Sequence, residues 1–263
     1  MRYVLITGAY GGMGRATVKL MRERGFTVFA LDRRVDAPEE GIIPIETDIT
    51  DMHSLSAAFD EIKSMTQELC GIIHLAGIYM LDSLVEIENE RFSRIFDVNL
   101  RGVFLVNKQF IQLLKKNSRI VMVTSELAPL DPLPFTGIYA VSKAALDKYA
   151  YSLRMELQLL GIKVSVLRAG AVETSMLGVS TSELETFCEK TLLYKCNAER
   201  FMRIVNRVEA RSVPPTKLAA KIGKIFSCRN PKFAYALNRN PLLRLLNILP
   251  KRIQLWCIRM VLR

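Results

Sequence analysis

The sequence predicts a doubly wound α/β fold, in which a parallel sheet of about seven strands carries helices on both faces. Short β-branched and apolar runs, typical of buried strands, occupy residues 3–7, 27–31, 71–76, 118–124 and 163–168. Longer segments with apolar residues at helical spacing occupy residues 14–24, 54–68, 88–116 and 139–160. Because the two kinds of segment alternate, we expect parallel strands joined by crossover helices.

Composition narrows the class of protein. Half of the 263 residues are apolar, which is enough to bury the core of one large domain without disulfides or metals. The five cysteines show no C-x-x-C spacing, which favours reduced thiols in the cytoplasm. The two histidines belong to no ligand cluster, so no metal site is expected. The first strand begins at Tyr3, and we expect no signal segment before it.

Positive charge is concentrated at the C-terminal end. The net charge is +11, and Glu209 is the last acidic residue. The basic residues beyond it are Arg211, Lys217, Lys221, Lys224, Arg229, Lys232, Arg239, Arg244, Lys251, Arg252, Arg259 and Arg263. These charges account for the whole net value, so the body of the chain is nearly neutral.

A glycine-rich turn joins the first strand to the first helix. Glycines at such a turn let the backbone approach a pyrophosphate, and the helix offers free N–H groups and a positive dipole end. The expected contacts are Gly8, Gly12, Met13 and Gly14. A glycine-rich stretch alone could be a tight turn, but a strand before it and a helix after it favour nucleotide binding.

Asp32 ends the second strand, where a carboxylate can accept hydrogen bonds from the adenosine ribose and repel a 2′-phosphate. This favours NAD as the cofactor. Arg33 and Arg34 follow at once, and a guanidinium here could instead hold the 2′-phosphate of NADP. NADP therefore stays open as the alternative.

The arrangement T-G-x-x-x-G-x-G over residues 7–14 resembles the short-chain dehydrogenase/reductase family, whose fold is of the Rossmann type. The likeness extends to about residue 176. Asp48 and Ile49 resemble that family's adenine-contacting pair. Ala76 and Gly77 match the end of its N-N-A-G motif, whereas His74 departs from it and could be a catalytic acid or a structural histidine.

Tyr139 and Lys143 lie four residues apart, so on a helix both side chains emerge on one face. A phenol with a pKa of about 10 is a poor base at neutral pH. An ammonium nearby stabilises the phenolate and lowers that pKa. The pair therefore indicates proton transfer to or from a substrate oxygen during hydride transfer.

The resemblance implies the remaining site residues. Ser125 ends the fifth strand and would stabilise charge on the substrate oxygen, with Thr124 as the second choice. Asn99 matches the asparagine that completes a proton relay to the lysine. Val172 and Thr174 match the segment that contacts the nicotinamide carboxamide. Asn99, Tyr139 and Lys143 are also expected to contact the cofactor.

Residues 241–263 combine apolar side chains with five basic residues and no acids. Pro250 divides the segment into pieces too short to span a bilayer. It could pack over the substrate pocket or a partner subunit, or lie on a membrane surface as in some retinol and hydroxysteroid dehydrogenases, which such tails resemble. Nucleic-acid binding is not expected, because no recognised module accompanies the charge.

We therefore expect a dinucleotide-binding catalytic domain over residues 1–240, with a substrate lid over 174–212, and a basic apolar helical extension over 241–263. The predicted activity interconverts a hydrophobic alcohol and its carbonyl, such as a steroid, retinoid or fatty-acyl compound. The alternatives are a 3-oxoacyl-thioester reductase and a non-catalytic nucleotide sensor. The resemblance also implies a homodimer or homotetramer formed through helices 88–116 and 139–160, in the cytoplasm or peripheral on the cytoplasmic face of a membrane.

Overall fold

Seven strands form one sheet in the computed structural model, which describes residues 1–208 and 212–263, without the side chains of 175–181 and 206–208. The strands are β1 (Tyr3–Thr7), β2 (Thr27–Asp32), β3 (Ile42–Glu46), β4 (Leu69–His74), β5 (Leu114–Ser125), β6 (Lys163–Ala169) and β7 (Ala234–Leu237). Their order is β3-β2-β1-β4-β5-β6-β7, and every neighbouring pair is parallel. The predicted fold class is confirmed.

Helices cover both faces of the sheet. They are α1 (Gly12–Glu23), α2 (Met52–Met65), α3 (Asn89–Phe96), α4 (Gly102–Phe110), α5 (Gly137–Leu157), α6 (Ser175–Lys190), α7 (Lys195–Val208), α8 (Pro215–Ser227), α9 (Pro241–Ile248) and α10 (Lys251–Leu262). Alternate residues of β1 face opposite cores: Leu5 packs with α2, α4 and α5, and Val4 and Ile6 pack with α1 and α8. Burial on both faces explains the continuous apolar runs of the central strands.

The chain order reverses between β1 and β4, which are neighbours in the sheet although two strands separate them in sequence. Connections from the two strands leave on opposite faces, so a crevice opens beyond their carboxyl ends. Thr7 and His74 end these strands and are paired in register. The crevice is therefore where a ligand site is expected.

The prediction of one continuous helix over residues 88–116 is wrong. It divides into α3, a π-helical turn at Asp97–Arg101 and α4, and β5 begins at Leu114. The early start of β5 has a local cause: Leu114 pairs with Leu69, and the Ser118 hydroxyl donates to the Leu69 carbonyl. The apolar spacing of 88–116 continues into this strand, so periodicity alone did not locate the boundary.

The candidate lid over 174–212 contains α6 and α7, and its residues 209–211 lie outside the described part of the chain. The segment 241–263 folds into α9 and α10, with Pro250 between them. No helix in the described ranges is long and apolar enough to cross a membrane.

His74 belongs to a buried polar chain that braces the sheet. Its Nε2 lies 3.0 Å from the Asn107 Oδ1, and the Asn107 amide donates to the Tyr149 hydroxyl at 3.2 Å. Because an amide oxygen only accepts, Nε2 carries the hydrogen, and Nδ1 is buried without a partner. Burial lowers the pKa of His74 to about 4, although the bond to Asn107 opposes this shift. These contacts favour the structural histidine over the catalytic acid.

We expect His74 to make the fold sensitive to acid. The unfolded chain binds a proton at His74 near pH 6.5, whereas the folded chain resists it until about pH 4. The free energy of unfolding should therefore fall by about 3 kcal/mol between these values, and His74→Asn should remove this component. Urea unfolding across the pH range measures it. His53→Asn, at an exposed histidine, should keep the wild-type dependence; equal slopes for wild type and His74→Asn would contradict the assignment.

Candidate active site

A cavity of about 790 Å³ fills the crevice at the carboxyl ends of the central strands. Many residues predicted to bind a cofactor line it. They are Gly8, Gly12, Met13, Gly14, Asp32, Arg33, Asp48, Ile49, Ala76, Gly77 and Thr174. The structure thus brings together residues from five separate segments of the chain around one space.

Close backbone packing explains the glycines of the β1–α1 turn. Gly8 has a φ of +67°, and a Cβ there would lie 2.5 Å from the backbone nitrogen of Ala76. A Cβ on Gly14 would lie 2.0 Å from the Gly8 carbonyl oxygen. A Cβ on Gly12 would lie 2.8 Å from the methyl group of Thr174. Side chains at these positions would fill the floor of the cavity or push its walls apart.

The N-terminus of α1 points into this cradle. Its capping residue, Gly11, has no side chain to satisfy the first N–H groups, and the first turn contains no acidic residue. Free N–H donors and a positive helix end are suited to an anion such as a pyrophosphate. The space that the glycines leave open and the free N–H groups of α1 fit a bound dinucleotide.

Asp32 stands at the far side of the cradle. Its Oδ2 accepts the Tyr10 N–H at 2.9 Å, and its Oδ1 accepts the Arg33 N–H at 2.8 Å. These bonds fix the carboxylate at the cavity wall while each oxygen keeps acceptor capacity for a ribose hydroxyl. The Arg33 and Arg34 side chains are exposed, and Arg15 is ion-paired with Asp36.

Asp48 and Ile49, the residues predicted to contact adenine, line another part of the cavity wall. The Asp48 Oδ1 accepts bonds from both the backbone and the hydroxyl of Thr50, at 2.8 and 2.7 Å. Burial raises the pKa of Asp48, but these bonds outweigh it and the net pKa is below its usual range. Ile49 is buried against Gly102, where a Cβ would lie 2.8 Å from the Ile49 Cδ1.

Asn99 is fully buried at the π-helical turn, which lets its side chain reach across to the strand β4 connection. Its Oδ1 accepts the Ile78 N–H at 2.8 Å, and its Nδ2 donates to the Ile78 carbonyl at 2.9 Å and to the Ser142 hydroxyl at 3.1 Å. π-helical turns inside α-helices are frequent at functional sites. Asn99 is thus held rigidly beside the cavity.

Gly77 separates Asn99 from Lys143. A Cβ at Gly77 would lie 3.1 Å from the Asn99 Oδ1 and 3.3 Å from the Lys143 Nζ. The two polar groups therefore flank one small residue of the cavity wall. An amide oxygen and a lysine amine thus lie on either side of Gly77.

Ser125 and Thr124 point in opposite directions, because successive residues of a strand face opposite sides. The Ser125 hydroxyl lies near the Tyr139 hydroxyl, where it acts to lower the pKa of the phenol. The Thr124 hydroxyl instead donates to Asp147 at 3.3 Å, and Asp147 is ion-paired with Arg168. The structure therefore favours Ser125 over Thr124 as the hydroxyl beside the tyrosine.

Tyr139 and Lys143 lie one turn apart on α5, with the Lys143 Nζ 5.7 Å from the centre of the tyrosine ring. Burial raises the pKa of Tyr139 to about 12, although the bond to Ser125 opposes this shift. Burial also lowers the pKa of Lys143 to about 8. At neutral pH the phenol is protonated and the ammonium is charged, which is the state needed to deliver a proton to a carbonyl oxygen.

The last predicted contacts follow β6. Val172 is buried and forms an isolated parallel bridge with Val213, which fixes the chain path. Thr174 caps the start of α6 without a side-chain capping bond and stands against Gly12. Thr174 lines the cavity. The other predicted cofactor contacts that do not line it are Val172, Asn99, Tyr139 and Lys143.

Sequence reasoning missed three residues, two of them in contact with the tyrosine. Ser142 donates to the Tyr139 carbonyl at 2.8 Å and so links Asn99 to α5. Tyr79 packs against Tyr139 with ring centres 4.8 Å apart and ring planes tilted by 53°. Glu126 follows Ser125 and accepts the Asn240 N–H at 2.6 Å. Ser142 lies within the Y-x-x-x-K motif and could have been noticed there; the other contacts join segments distant in sequence and gave no local signal.

Comparison with known proteins agrees with this geometry. A family model described as short chain dehydrogenase matches residues 2–185. The NADPH-dependent 1-acyldihydroxyacetone phosphate reductase of Schizosaccharomyces pombe is 34% identical over 182 residues, which cover 66% of this chain and 61% of that protein. The 3-ketodihydrosphingosine reductase of Bacteroides thetaiotaomicron is 27% identical over 239 residues, covering 88% of this chain and 85% of that protein.

Solved structures show the same fold. A short chain dehydrogenase family protein from Francisella tularensis has a TM-score of 0.75 at 22% identity, covering 90% of this chain and 97% of that one. The 3-ketoacyl-(acyl-carrier-protein) reductase from Brucella melitensis, complexed with NADH, has a TM-score of 0.73 at 23% identity, covering 90% and 96%. The family match covers most of the chain and agrees with the glycine-rich cradle and the tyrosine–lysine pair. The chain is an oxidoreductase of the short-chain dehydrogenase/reductase family.

Proposed function

We propose that the chain interconverts a hydrophobic alcohol and its carbonyl, with NAD as the preferred cofactor. The observation that carries the proposal is the neighbouring pair of hydroxyls, Ser125 and Tyr139, with Lys143 one helical turn away and next to Gly77 of the cavity wall. A nicotinamide dinucleotide, held by the glycine turn and Asp32, would supply or take the hydride. The protein's own residues handle the oxygen and its proton.

Each residue of the proposed tetrad has one task. Ser125 donates a hydrogen bond to the substrate oxygen and stabilises developing negative charge. Tyr139 gives that oxygen a proton in reduction and removes it in oxidation. Lys143 stabilises the tyrosinate that reduction leaves behind, because opposite charges close together favour the charged form. Asn99, held by Ile78 and Ser142, positions the route by which the proton is replaced.

The surroundings of Tyr139 favour an apolar substrate. The Tyr79 ring contacts the Tyr139 ring, and Tyr79 packs in a cluster that includes Leu81, Phe135 and Phe187. Phe135 and Phe187 contact each other with ring centres 4.7 Å apart. The names of two relatives refer to acyl and sphingoid compounds, and a third, 30% identical over 187 residues, is the mouse estradiol 17-beta-dehydrogenase 2. An apolar wall and these relatives together support a lipid-like carbonyl.

The proposal extends to assembly and location. Exposed apolar side chains on α4 and α5, among them Phe104, Val141 and Met155, support a homodimer or homotetramer formed through these helices. All five cysteines are free, which supports a cytoplasmic location. We also propose that residues 241–263 place the protein peripherally on a membrane surface.

We expect Tyr139→Phe to lower turnover by about 10²–10⁴-fold, because the phenyl ring cannot transfer a proton. Wild type and variant should be compared spectrophotometrically on steroid, retinoid, fatty-acyl and 3-oxoacyl-thioester carbonyls with NADH. Tyr151→Phe, at an exposed tyrosine on the same helix, should retain wild-type rates. If the wild type binds NADH but turns over no member of the panel, the nucleotide-sensor alternative is correct instead.

We expect Asp32→Asn to shift cofactor preference toward NADP. The amide oxygen can still accept the Tyr10 N–H, but the negative charge that repels a 2′-phosphate is lost. The KM for NADH should rise by about 10–100-fold, since bonds to a charged group contribute about 1.5–3 kcal/mol. Glu39→Gln, at an exposed carboxylate paired with Arg22, serves as the control. A wild type that uses NADPH better than NADH would refute the NAD assignment.

We expect Lys143→Met to abolish turnover yet stabilise the fold at pH 7. The folded chain must bury a charged lysine whose pKa is about 8, against 10.5 when unfolded, and this cost disappears as the pH rises from 8 to above 10.5. The variant should be more stable than wild type by up to about 3 kcal/mol at pH 7 and converge with it near pH 10. Lys148→Met, at an exposed lysine on α5, should show neither change. A destabilised Lys143→Met variant at pH 7 would show that the lysine is not buried at a cost.

A further inference from the structure

The helix α10 carries apolar residues on two sides, one facing the protein and one facing solvent. Gln254, Ile258 and Leu262, spaced by four, face the protein. Ile253, Trp256 and Met260 recur at the i, i+3, i+7 spacing on the opposite side. Trp256 is 62% exposed and Met260 is 63% exposed. A tryptophan and two long aliphatic side chains therefore project away from the fold.

Arginines border this outward stripe. Arg252, Arg259 and Arg263 are spaced by seven and four, so they follow one line along the helix beside Trp256. No carboxylate within residues 1–208 and 212–263 is ion-paired with any of the three. The neighbouring helix α9 adds exposed Leu242, Leu245 and Ile248. The exposed residues of α9 and the outward stripe of α10 with its arginines are together called the tail surface.

The positive charge of the tail surface indicates which kind of partner can bind it. A second copy meeting it face to face would bring arginines against arginines, and like-charge contacts cost several kcal/mol. An anionic phospholipid surface neutralises the arginines and accepts tryptophan and leucine side chains at the depth of the headgroups. No acidic residue follows Glu209, so nothing in the final 54 residues opposes such contact.

The tail surface is tied to the loop between Ser125 and Tyr139. Glu126 accepts the Asn240 N–H at 2.6 Å, at the start of α9. The Asp131 N–H donates to the Asn247 Oδ1 at 2.6 Å, and the Asp131 carboxylate is ion-paired with Lys251 at the start of α10. The start of α9 and the junction between α9 and α10 therefore hold the loop that follows Ser125.

An apolar path connects α10 with the tyrosine. Ile258 and Leu262 on its inner side pack in the cluster that contains Phe135 and Phe187. Tyr79 packs against the same cluster, and its ring contacts the ring of Tyr139. Apolar contacts thus continue from the inner side of α10 to the Tyr139 ring.

We infer that the tail surface docks on an anionic phospholipid bilayer, and that the apolar substrate enters from that bilayer along the cluster between α10 and Tyr139. The docking is independent of the reaction, whereas the entry route rests on the proposed function. Membrane binding then anchors the protein and also orients the loop between Ser125 and Tyr139 through Glu126 and Asp131.

Docking is tested by flotation of the full chain with phosphatidylcholine vesicles that contain or lack phosphatidylserine. Arg252→Gln/Arg259→Gln should weaken binding to the anionic vesicles by about 30-fold, since each arginine near such a surface contributes about fivefold. Lys217→Gln/Lys224→Gln removes the same charge from exposed positions of α8 and should bind as wild type does. Equal loss in both doubles, or no loss in either, would overturn the docking surface.

The single tryptophan provides a second readout. Emission from Trp256 should shift to shorter wavelength when anionic vesicles are added. A shift that instead follows protein concentration without vesicles would show that a second copy covers the tail surface, and would overturn the proposal.

The entry route is tested by kinetics. A long-chain ketone carried in anionic vesicles and a short water-soluble ketone are reduced side by side. Arg252→Gln/Arg259→Gln should raise the KM for the vesicle-borne ketone by about the same factor as it weakens docking, with kcat/KM for the soluble ketone unchanged. Equal effects on both ketones would overturn the route. If the wild type reduces neither ketone but floats as expected, the proposed function and the route fail and the docking stands.

Discussion

The close approach of two backbones, at Gly8 and Ala76, is the constraint on which the rest of the site depends. With the β1 turn and the β4 connection almost in contact, no side chain fits between them, and the space beyond is left for a ligand. The same approach fixes where Gly77 lies, and Gly77 in turn sets how closely Asn99 and Lys143 stand. The packing of these two backbones therefore affects how closely Asn99 and Lys143 approach each other.

The buried polar groups divide into two kinds. The Asp147–Arg168 pair satisfies its charges internally and joins α5 to β6. His74, Tyr139 and Lys143 are of the second kind, because burial moves the pKa of each away from that of the free side chain. The hydrogen bonds from His74 through Asn107 to Tyr149 still join β4 to α5, although the His74 Nδ1 has no partner. Burial disfavours the charged form of each of these three groups.

Sequence reasoning succeeded where a residue's role depends on local context. The glycine turn, Asp32 and the tyrosine–lysine spacing each need only a strand or helix boundary to be interpreted. The structure places the glycine turn and Asp32 at one cavity, and Lys143 lies beside Gly77 of its wall. It failed over residues 88–116, where apolar periodicity runs from a helix through a π-helical turn into a strand. It also could not find Tyr79 or the tie between Glu126 and Asn240, because such contacts depend on tertiary packing between distant segments.

The opposite orientations of Thr124 and Ser125 have a consequence for how this site can vary. Ser125 is positioned by the register of β5, which is paired with β6 up to Ser125 and Ala169. The length of the connection to α5 does not enter that positioning. Insertions or deletions in the connection can therefore leave the Ser125 hydroxyl in place, whereas a slip of one residue in β5 would exchange it for the Thr124 hydroxyl, which bonds Asp147.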